Sequence, residues 1–172
     1  MNPHLPGELE ALRELLADWT SHQNFDMVVA IGEDRGHDHA RLCWEALEPR
    51  GLVSAVCRCR SRCRGPHGAR QLQDRLGVRV PVAEAADWMA LTLGQSLVFS
   101  SLGAVREARV LAEPLVELLG PDADWRANGY AAHPPPYGHN VSWSPVTIWT
   151  FDAALVGIGG GRTVVAVATG ED

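Results

Sequence analysis

A short apolar run followed by a polar loop and an amphipathic helix is the feature that most constrains how this chain folds. Residues 27–31 read Met-Val-Val-Ala-Ile between polar neighbours, a pattern typical of a buried strand. Residues 40–47 place their apolar side chains at helical spacing, after the loop 32–38. Strand, loop and helix form half of a βαβ unit, and the extended run from Leu52 predicts a parallel strand that completes it.

Helical spacing recurs along much of the remaining chain. An amphipathic helix is predicted from Glu8 onward, and a short one over residues 69–76. Alanine-rich and leucine-rich sequence predicts two further helices, near residues 83–93 and 104–119. Because proline lacks an amide hydrogen, we expect the last helix to break or restart at Pro114.

The last third of the chain predicts a loop and a hairpin. Residues 121–145 are rich in proline, glycine and aromatic side chains, and are predicted to form a long loop. The β-branched runs 146–156 and 163–169 then predict two antiparallel strands, with a glycine-rich turn over residues 158–162. Residues 94–103 give no preference for helix or strand.

These elements predict the fold class α/β, with mixed α+β as the alternative. We expect a mixed sheet with a βαβ-like amino-terminal half and a carboxy-terminal antiparallel hairpin, with the helices packed on the sheet. The chain has 172 residues, of which 46% are apolar and six are tryptophan, enough for one sizeable core. Residues 1–172 are therefore predicted to form a single globular domain.

The amino-acid composition indicates the compartment in which the protein works and the residue types that it offers for catalysis. No window approaches 18 continuous apolar residues, which predicts no membrane span, and the few clustered cysteines favour a reducing, cytoplasmic location. All 15 basic residues are arginine, which suggests a GC-rich, bacterial coding sequence and leaves no lysine for catalysis. Residues 8–48 hold ten acidic side chains and residues 58–79 hold seven arginines, so we expect these two segments to pair.

Three of the four cysteines lie in residues 57–64, where cysteine and arginine alternate. Cys57, Cys59 and Cys63 with His67 provide three thiolates and one imidazole, a ligand set that can bind zinc. The spacing differs from the paired knuckles of zinc ribbons and fingers. The alternation also fits a strand that buries small thiols on one face and exposes guanidinium groups on the other, and the sequence leaves both interpretations open.

The arginines of this segment form a candidate anion-binding strip. Arg58, Arg60, Arg62 and Arg64 would share one face of a strand, where their guanidinium groups could bind phosphates or nucleic acid. However, the protein has a sequence pI near 5.6 and the strip contains no aromatic side chain for base stacking. An edge strand protected from aggregation by outward charges explains the same residues.

The loop between the first strand and its helix is the leading catalytic candidate. His37 and His39, surrounded by three carboxylates, could hold a divalent metal or supply a general base. With Cys43, they could also supply further ligands to the cysteine segment if the first crossover returns near it. Ligands bind in this position, at the carboxyl end of a strand, in parallel α/β sheets. The alternative is that Asp38 caps the following helix and the other side chains are solvated.

A second group of aromatic and histidine side chains surrounds a triproline in the long loop. His133, Tyr137, His139 and Trp143 could line a ligand pocket or cover one, or they could belong to a surface crossover between elements. The sequence does not distinguish these roles.

These observations limit the classes of function that the sequence supports. No nucleophile motif, phosphate loop or complete metal-binding motif is visible, which favours a non-enzymatic binding, accessory, immunity-type or regulatory protein. We expect a partner protein or a small ligand rather than nucleic acid. The alternatives are a metal-binding enzyme or sensor, with zinc as the possible cofactor, and a protein that binds anions through the arginine strip.

Overall fold

The computed structural model shows five α-helices and five strands in the part of the chain that it describes. The described residues are 6–22, 26–53, 65–94, 102–129, 144–149 and 151–170. The helices are α1 (Pro6–Ser21), α2 (His39–Leu47), α3 (Ala69–Arg75), α4 (Val82–Gly94) and α5 (Leu102–Leu119), and Glu48–Arg50 form a single 3-10 turn. The strands are β1 (Met27–Glu33), β2 (Val78–Val80), β3 (Asp124–Ala127), β4 (Phe151–Gly159) and β5 (Arg162–Gly170).

The five described strands form one antiparallel sheet in the order β1-β5-β4-β3-β2. Strands β4 and β5 are the predicted carboxy-terminal hairpin. The turn between them consists of Gly160 and Gly161, whose φ angles are 57° and 74°. Positive φ at both turn residues is the requirement of the turn that matches strand twist, and glycine meets it without steric cost.

The predicted fold class is confirmed in its mixed α+β form, with helices packed on a sheet and a carboxy-terminal hairpin. The parallel partner expected beside β1 would begin at Leu52, and residues 54–64 of that segment lie outside the described residues. The expected βαβ crossover therefore stays a prediction. The pairings among the described strands are all antiparallel, so they show no mixed sheet.

Two apolar clusters cover the two faces of the sheet. Helices α1, α4 and α5 pack on one face, and helices α2 and α3 pack on the other. Successive residues of β5 point to opposite faces: Val164 belongs to the first cluster and Val165 to the second. Because β4 and β5 are central in the sheet and buried on both sides, their sequences are nearly continuous apolar runs.

Helix α5 passes through Pro114 without a break, contrary to our expectation. Apolar residues on both sides of the proline, including Leu111 and Leu115, are buried in the same cluster. Burial along one continuous helical face offsets the backbone hydrogen bond that proline removes.

Strand β3 lies inside the segment that was predicted to be a loop. Trp125 and Ala127 are fully buried, whereas Asp124 and Arg126, which alternate with them along the strand, are partly exposed. This alternation is the signature of a strand, but it extends over only four residues and is too short to stand out in the sequence. Within the described residues, no helix is long and apolar enough to cross a membrane.

Candidate functional site

Two hydrogen bonds, one to the hairpin turn and one within the loop, hold the loop from β1 to α2 in place. The amide of Asp34 donates to the carbonyl of Gly161 at 2.9 Å, which joins the loop to the hairpin turn. The amide of Gly36 donates to Asp34 Oδ1 at 2.8 Å, and Gly36 has φ 76°. These bonds position the side chains that follow at the start of α2.

Asp38 caps α2, as the sequence analysis anticipated. Its Oδ1 accepts a hydrogen bond from the amide of Arg41 at 2.7 Å, and its Oδ2 accepts one from Gln73 Nε2 at 2.9 Å. The hydrogen bond from Arg41 lowers the pKa of the Asp38 carboxyl, with a smaller contribution from Gln73. The capping carboxylate is therefore ionised at neutral pH.

Replacement of Asp38 with alanine is expected to reduce the free energy of unfolding by about 1 kcal/mol, because the amide of Arg41 loses its acceptor. Urea denaturation followed by circular dichroism measures the change. Asp38→Asn, which keeps a capping oxygen, is the matched control and should lose less. Equal losses in the two variants would contradict a capping role.

His37 forms a hydrogen-bonded chain with two residues of α2. Its Nδ1 lies 3.1 Å from Glu45 Oε2, and Glu45 Oε1 accepts from Arg41 Nε at 2.6 Å. The bond from Arg41, followed by the interaction with His37, lowers the pKa of Glu45. A carboxylate on one imidazole nitrogen fixes the ring and leaves the other nitrogen available to a ligand or to a proton.

His37 and Glu45 lie on the rim of a pocket of about 230 Å³ between β1, β5 and α2. The pocket combines an apolar floor with a polar rim. Its apolar lining residues are Ala30, Ile31, Leu42, Ala46 and Val165. Its other lining residues are Gly32, Glu33, Arg35, His37, Glu45 and Thr163.

His39 is directed to a different cleft, on the other side of the start of α2. Its Nε2 lies 3.0 Å from the carbonyl oxygen of Asp124 and 3.8 Å from Asp124 Oδ2, and its side chain is 15% exposed. This cleft has a volume of about 140 Å³ and is lined by Asp38, His39, Ala40, Gln73, Leu76 and Arg126. His37 and His39 therefore lie at two different clefts.

The predicted metal ligands are only partly described. Cys57, Cys59 and Cys63 lie outside the described residues, whereas His67 is half-buried and its amide donates to Gln71 Oε1 at 2.9 Å. In the part of the chain that the structure describes, no group of three or more histidine, cysteine or carboxylate side chains is placed to hold a metal ion. A zinc site in the cysteine segment stays a prediction.

Cys43, which was considered as a further ligand, belongs to the core. It is 0% exposed, among the residues that α2 and α3 bury against the sheet. Burial, and to a lesser extent the negative charge of Asp152, raise the pKa of the thiol far above its usual range. A thiol in this environment is a packing group and not a nucleophile.

The remaining candidates are not described. The arginine strip, Arg58, Arg60, Arg62 and Arg64, lies outside the described residues. The same holds for the pocket or lid residues His133, Tyr137, His139 and Trp143. Anion binding by the arginine strip and a pocket or lid formed by the loop residues therefore stay predictions.

A buried carboxylate that the sequence analysis missed organises the polar interior. Asp152 is 0% exposed. Its oxygens accept hydrogen bonds from Asn128 Nδ2 at 2.7 Å, from the amide of Val146 at 2.9 and 3.1 Å, and from Thr147. Thr147 donates through both its amide and its hydroxyl, each at 2.7 Å.

The surroundings of Asp152 have opposing effects on the pKa of its carboxyl. Burial raises the pKa of the carboxyl, while hydrogen bonds from Thr147 and Val146 and the charge of Arg75 act to lower it. The guanidinium of Arg75 in turn donates to the carbonyl of Pro145. An aspartate beside an apolar strand run, as in residues 151–156, is the sequence signal that could have indicated a buried network.

Asn128 connects the hydrogen bonds of Asp152 to the backbone of Ser144 and Ala154. Its Nδ2 also donates to the carbonyl of Ser144 at 3.3 Å, and the amide of Ser144 donates to the carbonyl of Asn128 at 3.1 Å. Its Oδ1 accepts from the amide of Ala154 at 3.1 Å. Residues 128 and 144 are thereby held side by side.

No protein-family model matches the chain, and neither a curated protein nor a solved structure does. The two clefts beside the start of α2 are the features of the described residues that indicate a function.

Proposed function

We propose that this is a non-enzymatic binding protein that holds a small ligand in the pocket between β1, β5 and α2. The observation that carries the proposal is a concave site of about 230 Å³ with an apolar floor, bordered by His37 and Glu45. Apolar concave sites with a few fixed polar groups are the usual form of small-molecule sites, and this volume suits a compact ligand.

The polar side chains at the opening of the pocket would contact the polar end of that ligand. Within the described residues, Glu33 and Arg35 are exposed, and neither side chain makes a hydrogen bond or an ion pair. Together with the fixed ring of His37, they offer an acceptor, a donor and an imidazole around one opening. A ligand with a compact apolar body and one polar or charged end matches this arrangement.

The proposal has an enzymatic alternative at the same place. The 3.1 Å contact between His37 Nδ1 and Glu45 Oε2 has the geometry of a general base oriented by a carboxylate. A hydrolytic reaction would use the same pocket to hold its substrate. Ligand binding is therefore the step that both functions require.

Filling the pocket with a larger side chain is expected to weaken ligand binding. Ala46 lines it from α2, and Ala46→Phe places an aromatic ring in the space that a ligand would occupy. A library of soluble fragments with apolar bodies and one polar group is screened against the wild-type protein by saturation-transfer NMR. Fragments that bind should weaken by at least about tenfold in Ala46→Phe, since their apolar contacts are lost.

Ala83→Phe is the matched control, because Ala83 lies on a helix but is exposed. It should bind the same fragments as the wild-type protein. Thermal unfolding of both variants shows whether each retains its fold. The absence of binding fragments, or equal binding to the wild-type protein and a folded Ala46→Phe variant, would contradict the proposal.

A further inference from the structure

An arginine that lines the second cleft has another arginine directly opposite it in the sheet. Arg79 of β2 and Arg126 of β3 are paired in the antiparallel register. Asp124 Oδ1 lies 3.6 Å from Arg79 Nε and 3.4 Å from Arg126 Nε, so one carboxylate oxygen is shared by two guanidinium groups. Like charges in opposed positions of a sheet destabilise it, and a second anion would relieve this repulsion.

The guanidinium groups keep most of their donors available. Among the described residues, the one hydrogen bond that either makes is the long contact from Arg126 Nη2 to Asp124 Oδ2, at 3.5 Å. The Asp124 Oδ1 atom is buried and accepts no hydrogen bond there. The planar fork of an arginine matches the two oxygens of a carboxylate, and two neighbouring forks strengthen that match.

The opposite wall of the cleft offers acceptors. Asp38 presents an ionised carboxylate, and Gln73 uses its amide nitrogen to hold that carboxylate at 2.9 Å. The amide oxygen of Gln73 has no partner among the described residues. The cleft, with a volume of about 140 Å³, therefore has the donors of Arg126 on its strand side and the acceptors of Asp38 and Gln73 on its helix side, and it shares no lining residue with the first pocket.

We propose that this cleft binds a small hydroxy or amino carboxylate. The carboxylate lies against Arg126 and Arg79, and the hydroxyl or ammonium group donates to Asp38 and Gln73. The charges of Arg79, Arg126, Asp124 and Asp38 cancel, which suits a ligand that carries both an acid and a donor. This binding site is independent of the pocket of the proposed function.

Three probes with the same carbon skeleton test the proposal: L-lactate, L-alanine and propionate. They differ only in the group at the second carbon, which is a hydroxyl, an ammonium or a hydrogen. The wild-type protein is titrated with each by NMR, observing amide signals of β3 and the start of α2. We expect saturable shifts with lactate or alanine, with dissociation constants on the order of millimolar, and weaker binding of propionate.

Arg126→Gln is expected to weaken binding by at least about tenfold, because it removes the fork on which the carboxylate rests. Arg79→Gln provides a second test that does not depend on the core, since the Arg79 side chain is 77% exposed. Arg106→Gln, an exposed arginine on α5, is the control and should bind normally. Absence of saturable shifts with all three probes, equal binding of propionate, or unchanged binding in both Arg126→Gln and Arg79→Gln would overturn the proposal.

Discussion

Replacement of Asp152 with alanine should lower the free energy of unfolding by about 3–5 kcal/mol. The side chain of Asp152 accepts hydrogen bonds from Asn128, Val146 and Thr147, all of them buried. Alanine leaves those donors without an acceptor in a region that water does not reach. An unsatisfied buried donor costs about 1–3 kcal/mol, and several are lost together.

Equilibrium denaturation in urea, monitored by tryptophan fluorescence, measures this loss. Asp122→Ala is the matched control, because Asp122 is exposed in a turn, and it should change stability by less than about 0.5 kcal/mol. Thr147→Val removes the hydroxyl donor but leaves the carboxylate in place, so its effect should be intermediate. A loss below about 1 kcal/mol in Asp152→Ala would show that the network contributes little.

The second large effect is expected where α4 and α5 approach each other most closely. A Cβ atom at Gly94 would lie 2.5 Å from the carbonyl oxygen of Ala104 and 2.6 Å from the Cα atom of Val105. Both atoms belong to the backbone of α5, so no side-chain rotation can relieve the overlap. Gly94→Ala should therefore force the two helices apart and lower the free energy of unfolding by about 2–3 kcal/mol.

Gly68→Ala is the control for this substitution. Gly68 has φ 174° and no atom within 4 Å of an added Cβ, so alanine fits there without strain. It should change the free energy of unfolding by no more than about 0.5 kcal/mol, because the restriction that alanine places on the unfolded chain offsets its weaker preference for the N-cap of α3. The same midpoint in urea for the two glycine variants would contradict a close backbone contact between α4 and α5.

The fold was largely predictable because its central elements have strong local patterns. Strand β1, helix α2 and the hairpin of β4 and β5 all show continuous apolar runs or helical spacing. Strand β3 was missed because Trp125 and Ala127 give only two inward positions. Helix α5 was expected to break at Pro114, because the sequence shows the missing amide but not the burial that compensates for it.

The candidate sites were less predictable, since they depend on which residues meet across the fold. His37 and His39 are separated by one residue, and nothing in their spacing shows that one contacts Glu45 and the other Asp124. Arg79 and Arg126 become neighbours only through the register of β2 and β3. Pairing between distant strands leaves no local signal, so the second cleft had no counterpart in the sequence.

The pairing of β1 with β5 has a consequence for the order in which the chain can fold. Met27 pairs with Ala168, so β1 obtains its described partner only after β5 has been synthesised, roughly 140 residues later. At ribosomal rates this interval is on the order of ten seconds, during which the apolar residues of β1 lack that partner. Folding of the sheet therefore depends on a contact of very high sequence separation, a property that slows folding and lengthens exposure to chaperones and aggregation.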